Sequence, residues 1–145
     1  METATITNST IEIIETYFPE ETLHIPRHIH NHATLFNFSF KINRVAEGSH
    51  KIRFFIDMLF YNADDPDKKS ILNLKTCSCF DIKCEANTEI KLLLFYELLS
   101  MSFWNFQGVF AAKTQGTRFS TEIPPIIDFT EHEDEFRTRI EYEWN

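Results

Sequence analysis

Three histidines, His28, His30 and His32, stand at alternate positions, and alternate residues of an extended segment point the same way, so imidazoles at this spacing could hold zinc, copper or nickel. Spacing alone does not make a site, because histidines in a polar loop are ordinarily solvated, and the expectation is a chain with no bound metal and no cofactor. Cys77 and Cys79 would extend the ligand set only if the N-terminal loop reached their strand. With Cys84 they make three cysteines, an odd number, read as free thiols of a reducing compartment in or near a strand. The carboxylates of Glu131, Glu133, Asp134 and Glu135 are crowded enough for acid–base work, yet a helix N-terminus favours negative charge and explains them without catalysis. The sequence has no glycine-rich phosphate loop, no nucleophile elbow and no cysteine with an identifiable histidine partner. The expectation is therefore a protein that is not an enzyme.

What remains is apolar surface, and there is much of it. Of 145 residues, 43% are hydrophobic and fifteen are Phe, which is ample for one globular domain spanning 1–145. Three Gly and five Pro argue against a disordered or collagen-like chain. A formal charge of −8 and a sequence pI near 5.2 disfavour a nucleic-acid partner, which needs a concentrated basic patch. The first ten residues carry neither a basic leader nor an apolar segment, and the apolar run at 92–99 is interrupted by Glu97, so the chain is expected to be cytoplasmic with no membrane insertion.

The elements follow from periodicity. Residues 10–17 begin as a strand, with Ile11 and Ile13 alternating with polar neighbours, and Ile14 breaks the pattern as a bulge or bend would. Residues 22–25 read as a short edge segment ended by Pro26. In 35–45 Phe36, Phe38, Phe40 and Ile42 share one face. After a turn at 46–49, Ile52, Phe54, Ile56, Met58 and Phe60 alternate with Arg53, Phe55, Asp57, Leu59 and Tyr61. Phe55, Leu59 and Tyr61 make that second face unusually apolar, so it needs a cover or a ligand. Residues 71–84 return as a third long strand, Leu72, Leu74, Phe80, Ile82 and Cys84 on one face and Cys77 and Cys79 on the other.

Residues 89–113 then read as one long helix, capped by Asn87 or Thr88 and stopped at Gly116. Leu92, Tyr96, Leu99, Phe103, Phe106 and Phe110 form one stripe to cover the sheet; Leu94, Leu98, Met101 and Val109 form a second, expected to meet a partner subunit. An extended connector stiffened by Pro124 and Pro125 follows. Thr130-Glu131-His132-Glu133 matches a capping box for a second helix through Phe136 and Ile140, though Ile140, Tyr142 and Trp144 also alternate as in a strand. The predicted fold is α+β: a four-stranded antiparallel meander with two helices on one face.

Several of these residues resemble the SecB-like fold family of bacterial preprotein-export chaperones. Tyr17, Glu20, Leu23 and Pro26 fall in the order of that family's stretch before the sheet. Gly116-Thr117, Phe119, Pro124-Pro125 and Asp128-Phe129 look like its passage from the long helix to the last one. The similarity runs from about residue 11 to 136. It implies a single SecB-like domain that assembles as a homo-oligomer, dimer or tetramer, through its long helices and holds unfolded or partly folded polypeptides in hydrophobic grooves. The positions matching that groove are Phe119, Ile123, Ile126, Ile127 and Phe129, with Phe55, Leu59 and Tyr61 of the sheet as further candidates. The C-terminal IEYEWN does not look like the tail with which the export chaperones contact the translocation ATPase. Divergent relatives of the fold serve other clients, antitoxins included, so the alternative expectation is an interaction module for one dedicated partner such as a toxin or regulator.

Overall fold

The computed structural model describes residues 4–17, 32–64, 67, 70–115 and 129–144. Four long strands, β1 (Ala4–Tyr17), β2 (His32–Ala46), β3 (Ser49–Asn62) and β4 (Ser70–Cys84), form one antiparallel sheet in the order β1-β4-β3-β2. The expected four-stranded meander is corrected: β2, β3 and β4 follow one another as a meander, but β1 pairs with β4 on the far side rather than with β2. The break at Ile14 is real, because the β1–β4 register shifts between Ile13 and Glu15, and again between Ile6 and Asn8. The predicted edge segment at 22–25 lies outside the described residues.

The β2–β3 hairpin turns at Glu47-Gly48, where Gly48 has φ +71°, a conformation that costs a side-chain-bearing residue about 1–2 kcal/mol. Its register pairs Phe40 with Phe54 and Ile42 with Ile52, so apolar side chains meet across the strands. The even-numbered residues of β3 and β4 face the helices: Ile52, Phe54, Ile56, Leu72, Leu74, Phe80 and Ile82 are all fully buried. Thr76 and Ser78 share that face and are buried too.

Helix α1 (Thr88–Thr114) opens as predicted, the Asn87 side chain accepting a hydrogen bond from the Ile90 amide at 3.1 Å. Its first half packs with α2 (Glu133–Glu143) over Phe40, Phe54 and Phe80, and its second half sets Phe106 and Phe110 over Ile56, Met58 and Leu74. The two-stripe reading of α1 is corrected here. Leu94 and Leu98, assigned to a partner subunit, are 8% and 0% exposed in the chain's own core, with Phe95 between them fully buried. Positions 94, 95, 98, 99 and 102 are neighbours on a 3.6-residue helix, and together they form one broad band under which the sheet and α2 both fit. Met101 and Val109 are half-buried at its margins. The outward face instead carries Leu93 and Trp104, 69% and 68% exposed.

A 3-10 turn (Phe129–His132) precedes α2, so the expected capping box does not form: the N-cap residue is His132, without a side-chain cap. The ambiguous C-terminus is helical. Phe136, Ile140 and Trp144, four residues apart, are buried while Tyr142 is 84% exposed, a period of 3.6 rather than two.

Candidate functional site

β2 is an outermost strand, and α2 lies against it on the helix-covered side. Between them is an open cleft of about 340 Å³ lined by Phe38, Ser39, Phe40, His132, Glu135, Phe136 and Arg139. The strand supplies Phe38 and Phe40 because its apolar residues alternate; the helix supplies His132, Glu135, Phe136 and Arg139 because positions three and four apart share a face. Phe40 is the hub of the floor. Its ring meets Phe95 edge-on at 4.8 Å and Phe136 at 5.7 Å, an arrangement that favours the aromatic quadrupoles.

Arg139 closes one end. Its guanidinium lies 3.6 Å from the centre of the Phe40 ring, Nη2 donates to the Phe40 carbonyl at 3.1 Å, and Glu143 takes a second bond at 3.1 Å. In an antiparallel strand the backbone groups alternate between the two lateral sides, so a β2 carbonyl reached from α2 marks the outer edge of the sheet. At the other end His132 and Glu135 approach to 3.8 Å and are well exposed. The cleft thus offers an aromatic floor, charged rims of both signs and a strand edge: the components needed to hold an extended apolar peptide segment.

The structure brings together few of the residues expected to form the groove. Phe119, Ile123, Ile126 and Ile127 lie outside the described residues, and Phe129 is described in its backbone alone, at the start of the turn that leads into α2. Phe55, Leu59 and Tyr61 are separated from the cleft: as odd-numbered residues of β3 they stand half-buried on the sheet face opposite the helices, with Phe55 between Ser39 and Cys77. Sequence reasoning missed Phe40, Phe136 and Arg139 as groove residues, because it assigned the phenylalanines to core and had no signal joining positions 40 and 139.

His28 and His30 lie outside the described residues and His32 begins β2; among the described residues no group of three or more His, Cys, Asp or Glu is placed to hold a metal ion. Cys77, Cys79 and Cys84 are free thiols on β4. Burial first, and then the neighbouring Cys79, push the Cys77 thiol above its ordinary value, which suppresses the reactive thiolate. The acidic start of α2 is engaged in ion pairs, Glu133 with Arg137 at 3.6 Å, and Arg137 also bonds Glu89 of α1. No described helix is long and apolar enough to cross a membrane.

No family model matches the chain, and no curated protein matches it in sequence. Among solved structures it is similar to the Mycobacterium tuberculosis SecB-like chaperone Rv1957, seen in complex with a ChAD peptide from the Rv1956 HigA1 antitoxin. The superposition has a TM-score of 0.51 at 10% sequence identity, and covers 86% of this chain and 88% of that one. The chain has a SecB-like fold, and the expected α+β architecture is the one observed.

Proposed function

We propose that this SecB-fold chain binds extended segments of unfolded or partly folded polypeptides, without covalent chemistry, in the cleft between β2 and α2. The observation that carries the reading is an open aromatic cleft of about 340 Å³ beside an outermost strand, on a fold shared with a peptide-binding chaperone. A client segment laid along β2 would bury apolar side chains chiefly against the half-buried Phe38, since Phe40 is only 5% exposed, each Å² contributing about 25 cal/mol before ordering costs. Main-chain bonding to a strand edge is indifferent to side-chain identity, so recognition would be broad. Phe119, Ile123, Ile126, Ile127 and Phe129, which flank α2 in the chain, would complete the apolar lining. The reading includes a cytoplasmic homo-oligomer. Its contact surface is moved from Leu94 and Leu98 to the outward residues Leu93 and Trp104 of α1, with Met101 and Val109 beside them.

A second reading is favoured by one observation, the antitoxin-derived peptide held by the similar chaperone: a dedicated protein partner rather than general clients. Titration calorimetry separates the two. Binding of a chemically unfolded, slowly folding protein, and not of its native form, at micromolar affinity with a negative heat-capacity change, supports the general holding role. Absence of binding to both forms rejects it and leaves the dedicated partner.

A further inference from the structure

His50 of β3 is 4% exposed and makes a contact between the hairpin and the C-terminal end of α2. Its Nε2 lies 2.6 Å from the Trp144 carbonyl oxygen, a pure acceptor, so Nε2 carries the hydrogen and Nδ1 is a bare lone pair. The imidazole and the Trp144 indole pack at 4.9 Å between centroids, and Trp144 is itself only 2% exposed. Neither His50 Nδ1 nor Trp144 Nε1 has a hydrogen-bond partner among the described residues, although both atoms are buried. The cleft of about 250 Å³ that His50 and Trp144 line is also lined by Arg44 of β2, Glu47 and Gly48 of the hairpin turn, Cys84 of β4, Glu85 after it and Lys91 of α1, of which Lys91 and Arg44 act on the ring as charges. Lys91 Nζ lies 5.6 Å from the centre of the indole ring.

We infer that His50 is a proton-sensitive latch that holds the C-terminal turn of α2 against the sheet while it is neutral and lets that turn go when it is protonated. A proton on Nδ1 creates a second donor with no acceptor among the described residues and a buried positive charge near Lys91 and Arg44. Relief comes from exposing the ring to the adjoining cleft, which requires the Trp144 indole to leave it. Burial, the largest cause, together with Lys91 and Arg44 holds the His50 pKa below its ordinary 6.5, against the opposing effect of the bond to Trp144. A depressed histidine means that the open form takes the proton more readily. The latch is therefore at full strength above about pH 6.5 and weakens as pH falls towards the folded value, the opening constant rising through that window. Helix α2 also carries Phe136 and Arg139 into the cleft beside β2, so acid would loosen one wall of it; that consequence alone rests on the groove reading.

The chain has two tryptophans, so a Trp104→Phe protein reports on Trp144 alone. Lowering the pH from about 7.5 to about 5.5 is expected to shift Trp144 emission to the red, and Trp104→Phe with His50→Gln, whose amide can still donate to the carbonyl without titrating, is expected to show no shift. Amide exchange of α2 in the unmodified protein, corrected for intrinsic rates, is expected to lose protection over the same window, a readout that needs no variant to fold. Flat emission and unchanged α2 protection would overturn the latch, as would an equal shift in the His50→Gln protein. Peptide affinity measured across the same window tests the groove separately: unchanged affinity with a red-shifted Trp144 keeps the latch and rejects the coupling to binding.

Discussion

Replacing Arg139 by Met removes the charge that ties α2 to β2 while keeping an unbranched apolar stem over Phe40. Three contacts disappear at once: the guanidinium on the Phe40 ring at 3.6 Å, the bond to the Phe40 carbonyl at 3.1 Å, and the ion pair with Glu143 at 3.1 Å. The Arg139 side chain is 34% exposed, so each is taken near the lower end of its range. That gives about 0.5 kcal/mol for the ring contact, about 1.5 for a charged donor on a carbonyl and about 0.3 for a helical i,i+4 pair. The sum is a loss of about 2 kcal/mol, read as a lower midpoint with an unchanged slope in urea unfolding followed by circular dichroism, at fixed protomer concentration. Adding Glu143→Gln to Arg139→Met should cost little more, since the pair is already broken. A loss below about 0.5 kcal/mol would refute the idea that Arg139 fastens the helix to the strand edge, and would place it among ordinary surface arginines.

Phe95→Ala should cost about 3–5 kcal/mol because the ring is fully buried, whereas Leu93→Ala, two residues away and 69% exposed, should change monomer stability by no more than about 0.5 kcal/mol; similar losses would mean that the helix is rotated from its described position. Gly48→Ala should cost about 1–2 kcal/mol in the same assay, since φ is +71° and the added carbon meets Glu85 Oε1 at 3.3 Å, and Gly48→Asn, which tolerates that backbone better, should cost less; a neutral alanine would remove the case for a left-handed residue there. Trp104→Asp should lower the mass found by light scattering while leaving circular dichroism intact, and an oligomer of unchanged mass would show that the outward face of α1 is not its contact.

Much of the fold was legible in the sequence because the periods are long and clean. The alternation of Phe36, Phe38, Phe40 and Ile42, or of Ile52 through Phe60, decides which face of each strand is buried and rules out a one-residue slip, and Ile14 marked the bulge by breaking it. The N-cap of α1 was legible for the same local reason, Asn87 needing only the amide three residues on, whereas the expected stop at Gly116 lies outside the described residues and the C-cap is Gln115. What local pattern could not decide was which apolar residues share a neighbour. Leu94 and Leu98 resembled an interface stripe until α2 and the sheet were found to cover them together, and the alternating Ile140, Tyr142 and Trp144 became helical because Ile140 and Trp144 both had a core to enter. The candidate site was the least legible part. Its cleft joins Phe40 to Arg139, 99 positions apart, and its neighbour joins His50 to Trp144, 94 apart. By itself the sequence determined strands, helices and the faces they must bury, since those depend on residues two to four positions apart. The tertiary structure alone decided where β2 meets α2 and what closes around His50, because contacts across that distance exist only after the sheet has formed and the chain has returned to it.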